Sequence, residues 1–174
     1  MAEQDRPFID FIKDQGKLNL IGAEVGVLYG INAKHLLQAL NIKKLYLIDP
    51  YVTYPEYLDL KQPFAAVARD IANKKLGPYI KKIDWKIMKS ADAVHLIPND
   101  LDFVYIDGNH AYEYVKNDIL LYYPKVKKGG VFGGHDYYNA PPAREVKKAV
   151  DEWVAENNLK LFTGNCDWWV VKNE

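Results

Sequence analysis

The chain has 174 residues, of which 49% are hydrophobic and 26% charged, proportions that belong to one globular domain with a sizeable core and exclude disordered, collagen-like and large multidomain architectures. Its 23 basic and 23 acidic side chains balance, so the overall field gives no reason to expect nucleic acid as a partner. No basic opening leads into an apolar run and no apolar stretch reaches membrane-spanning length, so neither a signal peptide nor a membrane partner is expected. The single cysteine, Cys166, cannot form an internal disulfide, which fits a reducing, cytoplasmic setting.

No repeat or linker divides the sequence, and a single domain over residues 1–174 is expected, with residues 1–17 as a short helical extension. Within Met1–Gln15, Phe8, Ile9, Phe11 and Ile12 cluster as they would along one short helix. Beyond it, short apolar runs bounded by Gly, Asp or Pro alternate with stretches of helical period, the mark of β-α-β units around a parallel sheet. Strands are predicted at Leu18–Val25, Lys44–Ile48, Ile83–Met88, Leu101–Ile106 and Gly130–Gly134. Helices are predicted at Asn32–Leu40, Phe64–Lys74, near Asp92–Leu96, at Tyr112–Tyr122 and at Ala143–Asn157. The last is the clearest, because Val146, Ala149, Val150, Trp153 and Val154 recur at helical spacing behind Pro141 and Pro142. Leu159–Thr163 and Trp168–Val171 are then separated only by Gly-Asn-Cys-Asp, too short for a crossover helix, so the sheet is expected to end in an antiparallel hairpin.

Open parallel sheets bind ligands at the carboxyl ends of their strands. The first strand delivers Glu24-Val25-Gly26-Val27-Leu28-Tyr29-Gly30. Gly26 permits a tight turn and Gly30 a close approach of ligand or helix, although a plain strand-to-helix turn uses the same residues. The second strand ends at Asp49, 23 residues after Gly26, where a carboxylate can accept ribose hydroxyls or simply shape the turn before Pro50. The fourth ends in Asp107-Gly108-Asn109-His110 and the fifth in Gly133-Gly134-His135-Asp136. Two neighbouring strand ends thus present two carboxylates and two imidazoles, a set able to ligate a divalent cation and supply a base that titrates near neutrality. Strand-end Asp residues that only cap turns would look the same.

These segments, with Asp118, Pro124-Lys125 and Gly129–Tyr137, resemble class I S-adenosylmethionine-dependent methyltransferases. More narrowly they are similar to the small-molecule O-methyltransferase branch that includes macrolide-sugar methyltransferases and cephalosporin-hydroxylase-like proteins. The resemblance runs from about Leu18 to Lys172. It implies an α/β fold with a Rossmann-like, doubly wound, mostly parallel seven-stranded sheet, helices on both faces and an antiparallel hairpin at the end. It also implies that Glu24, Gly26 and Gly30 face the methionine half of S-adenosyl-L-methionine, that Asp49 holds the ribose, and that Ser90 and Ala91 meet the adenine. Asp107 would stand beside the donor and bind magnesium, and His110 would be the general base. Where the branch carries a pair of acids at the next strand end, this chain has His135-Asp136. The expected metal set is therefore Asp107, Asp136 and His135, with His135 also a catalytic candidate; an imidazole favours Mn2+ over Mg2+.

The implied activity is O-methylation of a sugar, polyol or other small-molecule or glycan acceptor, with a divalent metal assisting. The short extension leaves the site open to a large substrate or to closure by a second copy of the chain. Two other functions share parts of the pattern. A nicotinamide-dependent oxidoreductase would use the glycine turn and ribose acid, but the spacing lacks the third glycine of a dinucleotide fingerprint. A non-catalytic module would bind S-adenosylmethionine without transferring its methyl group. Tyr51, Tyr54, Tyr57, Tyr137 and Tyr138 lie in strand-end loops, where they stack on an acceptor or pack the loop. Trp153, Trp168 and Trp169 read as core, and the six lysines of Lys74–Lys89 as a solvated face.

Overall fold

The computed structural model describes residues 6–53, 64–141 and 144–173. Its elements are α1 (Pro7–Asp14), β1 (Leu20–Val25), α2 (Ile31–Ala39), β2 (Ile42–Ile48), α3 (Phe64–Leu76), β3 (Ile83–Lys86), α4 (Ser90–Ala93), β4 (Leu101–Ile106), α5 (Tyr112–Tyr122), β5 (Val126–Gly134), α6 (Arg144–Glu156), β6 (Phe162–Gly164) and β7 (Asp167–Val171). The strands form one seven-stranded sheet in the order β3-β2-β1-β4-β5-β7-β6. The first five are parallel, and β7 runs antiparallel to both β5 and β6, as the terminal hairpin foretold.

Two-residue alternation along the central strands divides the core into two layers. Phe103 and Tyr105 of β4 face one side, where they pack with Phe8, Ile9 and Ile12 of α1 and Leu36 and Leu37 of α2. Val104 and Ile106 face the other, against Val115, Ile119 and Tyr122 of α5 and Val146, Val150 and Trp153 of α6. At the hairpin Trp168 joins the second layer and Trp169 the first, so the three tryptophans are core residues as expected. The hairpin turns on Asn165 and Cys166, at φ 43° and 69°, the left-handed pair that a two-residue turn between right-twisted strands requires.

Several boundaries differ from the sequence reading: β1 starts at Leu20 rather than Leu18 and β3 ends at Lys86 rather than Met88, and three others follow from pairing or helix closure. β5 starts at Val126 rather than Gly130; its Lys and Gly residues have little strand propensity, but Leu101 pairs with Val126 and Lys127 meets Asp102 at 2.5 Å. β6 is confined to Phe162–Gly164, because Leu159 N still donates to Val154 O, at 3.0 Å, in closing α6. β2 begins two residues early, with Ile42 paired to Leu20. Pro7 opens α1, whose apolar side, Phe8, Ile9 and Ile12, lies on the sheet. No helix among the described residues is long and apolar enough to cross a membrane.

Candidate active site

Strand order reverses between β1 and β4, which is where an open parallel sheet parts its connections and leaves a crevice. A cavity of about 380 Å³ lies there, lined by the strand ends of β1, β2 and β4 and by α3 and α5. Its floor is the turn after β1. Gly26 holds φ +86°, and a β-carbon there would collide with the carbonyl of Asp107, so the β1 and β4 ends approach as closely as bare backbone allows. Gly30 is different from its expected place. It is not among the cavity-lining residues and turns its bare face to Leu76 and Ala72 of α3, so its absent side chain serves helix packing.

Asp49 reaches back to this turn. Its Oδ2 accepts hydrogen bonds from Val27 N and Leu28 N, both at 2.9 Å, and its Oδ1 one from Tyr51 N at 2.7 Å. A carboxylate has about four acceptor positions, so Asp49 fixes the turn and keeps capacity for a further donor. Tyr51, which lines the cavity, donates from Oη to Leu28 O at 3.0 Å and so binds the same turn from outside.

Glu24 is buried, and its Oε1 takes only a 3.4 Å bond from Asn32 Nδ2. Its Oε2 has no hydrogen-bond partner among the described residues. Burial, then the nearby charge of Asp107, push its carboxyl well above the usual range. An orphaned acceptor in a cavity wall is the signature of a missing donor. At the far end Ser90 Oγ donates to Asp118 Oδ1 at 2.5 Å, and burial lifts Asp118 to about 6 despite that bond. Ser90 and Asp118 line the cavity; Ala91 does not.

The acid-imidazole group assembles beside it. His110 Nε2 lies 2.9 Å from Asp136 Oδ2 and 3.9 Å from Asp107 Oδ1. Asp107, His110 and Asp136 each offer one ligand atom within 4.8 Å of the others. His135 is set apart from this trio: its Nδ1 is 3.4 Å from Asp136 Oδ1, and it is absent from the ligand group and the cavity lining. The imidazole that completes the metal-competent set is therefore that of His110 and not the expected His135, while Asp136, at φ 62°, turns one carboxylate oxygen towards each histidine. Burial alone would lower His110, but the two carboxylates outweigh it and raise it to about 9. His135 is raised as well, Asp136 again overcoming burial, while the two histidines hold Asp136 well below the usual carboxylate range against the effect of burial.

Arg6, Asn32, Tyr114 and Asp118 also line the cavity, and sequence reasoning gave none of them a task. Asp118 had a readable signal, an acid at the buried helical spacing of Val115, Ile119 and Tyr122. Of the loop tyrosines, Tyr51 and Tyr137 are tied down by hydrogen bonds, the latter donating to Asp151 at 2.6 Å; Tyr54 and Tyr57 lie outside the described residues.

Residues 23–137 match the family model of a methyltransferase domain, and the chain belongs to that family. The resemblance to class I S-adenosylmethionine-dependent methyltransferases is thereby borne out. A curated relative is the uncharacterized protein R132 of Acanthamoeba polyphaga mimivirus, 32% identical over 143 residues; the match covers 80% of this chain and 62% of the relative. Among solved structures, the fold is similar to that of the O-methyltransferase NovP, with TM-score 0.71 and 19% identity over 95% of this chain and 79% of that one. It is also similar to an O-methyltransferase from Bacillus cereus in complex with SAH, with TM-score 0.65 and 15% identity over 99% and 84% of the two chains. Spermidine synthase from Thermotoga maritima shares the fold at TM-score 0.57 and 14% identity over 87% and 53%. The fold alone therefore does not fix the reaction.

Proposed function

We propose that the chain is an S-adenosylmethionine-dependent O-methyltransferase acting on a hydroxyl of a sugar, polyol or other small-molecule or glycan acceptor. The observation that carries this reading is one cavity with a closed glycine turn and an orphaned Glu24 carboxyl oxygen at its floor and His110, backed by Asp136, on its wall. When bound, S-adenosylmethionine supplies a methyl group already activated by a sulfonium.

The chain's own residues supply alignment and proton handling. Glu24 Oε2 suits an α-ammonium, whose charge would stabilise the carboxylate that burial disfavours. Asp49 retains acceptor capacity for ribose hydroxyls while its three backbone bonds keep the turn in place. Ser90 and Asp118 suit the adenine end. His110 would serve as the base for the acceptor's hydroxyl proton, and Asp136, 2.9 Å from its Nε2, would hold the ring and stabilise the imidazolium.

A second reading is favoured by the ligand group itself. Asp107, His110 and Asp136 would hold a divalent cation, and a donor set of two carboxylates and one imidazole suits Mn2+ better than Mg2+. The two roles of His110 exclude one another, since an imidazole that gives its Nε2 lone pair to a cation carries its proton on Nδ1 and has no lone pair left to accept another. The deciding experiment is calorimetry with S-adenosylhomocysteine and with nicotinamide dinucleotides, followed by methyl transfer to a panel of sugars and polyols with Mn2+ or with chelator. Binding of the homocysteine nucleoside with turnover supports the enzyme, and binding without any turnover supports the non-catalytic module. Preference for a dinucleotide overturns both.

A further inference from the structure

Arg6 brings to the cavity a guanidinium edge to which neither the core nor the proposed chemistry gives a task. It stands directly before Pro7 at the start of α1 and is the only Lys or Arg among the described residues that line the cavity. One nitrogen of its guanidinium is anchored. Nη1 donates to Tyr105 Oη at 3.1 Å and lies 3.7 Å from Asp167 Oδ1. Tyr105 Oη in turn donates to Asp167 Oδ1 at 2.6 Å, and Phe8 N donates to Asp167 Oδ2 at 3.2 Å. Tyr105 and Asp167 are fully buried, so the anchor is a fixed part of the core that ties the head of α1 to β4 and β7.

The anchor leaves the other edge of the guanidinium unused. Nε is buried with no hydrogen-bond partner among the described residues, and the bonds of Arg6 there all run through Nη1. The Nε–Nη2 edge presents two parallel N–H groups, the geometry that pairs with a carboxylate through two bonds. Buried donors left without a partner are rare in a finished structure. The guanidinium charge is also felt at Glu24, whose Oε2 is orphaned in the same cavity. A cationic fork and an unsatisfied carboxyl oxygen within one cavity are complementary to the two charges of an α-amino acid.

We propose that Arg6 is a specificity-determining binding residue that receives a ligand carboxylate on its Nε–Nη2 edge, the carboxylate being that of the amino-acid end of the methyl donor. This rests on the methyltransferase reading. A carboxylate borne by the acceptor would present the same chemistry, and ligand choice separates the two sources. Calorimetry compares the wild type, Arg6→Gln and Arg6→Lys with S-adenosylhomocysteine and with 5′-methylthioadenosine, which keeps the nucleoside and thioether but has no amino acid. Arg6→Gln is expected to bind S-adenosylhomocysteine roughly ten- to a hundredfold more weakly, as loss of a charge-assisted pair implies, and 5′-methylthioadenosine as the wild type does. Arg6→Lys should fall between, keeping the charge and losing the fork. Equal weakening towards both ligands would make Arg6 a structural residue and overturn the proposal, as would unchanged affinity for both. A third arm titrates glucuronate into protein saturated with S-adenosylhomocysteine. Glucuronate binding that Arg6→Gln abolishes, with nucleoside affinity intact, overturns the donor assignment and moves the carboxylate to the acceptor. A wild type that binds neither nucleoside removes the methyltransferase reading, and this inference with it.

Discussion

Gly26 and Asp107 meet backbone to backbone: the space a β-carbon would need at position 26 is filled by the Asp107 carbonyl, and Asp107 N donates to Val25 O at 2.7 Å. The turn and the β4 end are therefore one rigid unit. Gly26→Ala meets both a left-handed backbone, φ +86°, and this clash. It should cost on the order of 2–4 kcal/mol of stability and most of the affinity for S-adenosylhomocysteine. Urea denaturation checks the first and calorimetry the second; an Ala variant with the wild-type midpoint would mean that the two strand ends move apart freely.

Asp49 carries two tasks that substitution separates. Removing its carboxylate strands three backbone N–H groups, those of Val27, Leu28 and Tyr51. Asp49→Ala should lower stability by about 1–3 kcal/mol and weaken S-adenosylhomocysteine by at least roughly tenfold, the scale of a lost hydrogen bond to a charged group. Asp49→Asn keeps one acceptor oxygen for the turn and should recover much of the stability but less of the affinity. Unimpaired nucleoside binding by a folded Asp49→Ala protein would leave this residue a turn brace alone.

The parallel sheet and its reversed last strand were legible in the sequence because a strand buried on both faces reads as a short apolar run and a helix as a spaced one: Phe103 to Ile106 along β4, or Val146 to Trp153 along α6. The strand-end acids were legible for the same reason, each standing where an apolar run stops. What the sequence did not carry was the direction of each side chain once there. His110 and His135 are equivalent as text, and only the folded chain gives Asp136 Oδ2 to one and Oδ1 to the other. Gly30 reads like Gly26 until α3 packs on it. Arg6 lies about a hundred residues from Tyr105 in sequence, so its place in the cavity follows from how α1 docks and from nothing local.

His110 sets a pH dependence with a definite sign. Its folded value, about 9, lies above the ordinary 6.5 of an unfolded histidine, so the ion pair with Asp136 and Asp107 stabilises fully below about pH 6.5 and is lost as pH rises through about 9. The difference corresponds to on the order of 3 kcal/mol. The melting temperature should fall over that window in the wild type and much less in His110→Gln. NMR titration of the imidazole gives the value directly, and Asp136→Asn should move it towards 6.5. If His110 is the base, the rate without metal rises over the same range and its limb shifts to lower pH in Asp136→Asn. An imidazole that titrates near 6.5 in the wild type would show that the two carboxylates do not hold it.

Metal addition separates the two roles of His110. A divalent cation at Asp107, His110 and Asp136 requires the imidazole to be neutral, so binding must release the proton that the carboxylates otherwise retain. Mn2+ affinity should therefore rise with pH, and calorimetry in buffers of different ionisation enthalpy should count about one proton released per ion near neutrality. Bound Mn2+ should broaden the His110 imidazole resonances beyond detection. Asp107→Ala removes one of three ligands and should weaken Mn2+ by at least roughly tenfold, while leaving S-adenosylhomocysteine affinity nearly intact, because the residues proposed to hold the nucleoside, Glu24, Gly26 and Asp49, stand at the ends of β1 and β2. If Asp107→Ala abolishes methyl transfer together with Mn2+ binding, the cation orients and acidifies the acceptor oxygen and His110 is its ligand. If instead no Mn2+ binds and transfer survives in Asp107→Ala, the metal reading is removed and His110 with Asp136 remains as the proton acceptor.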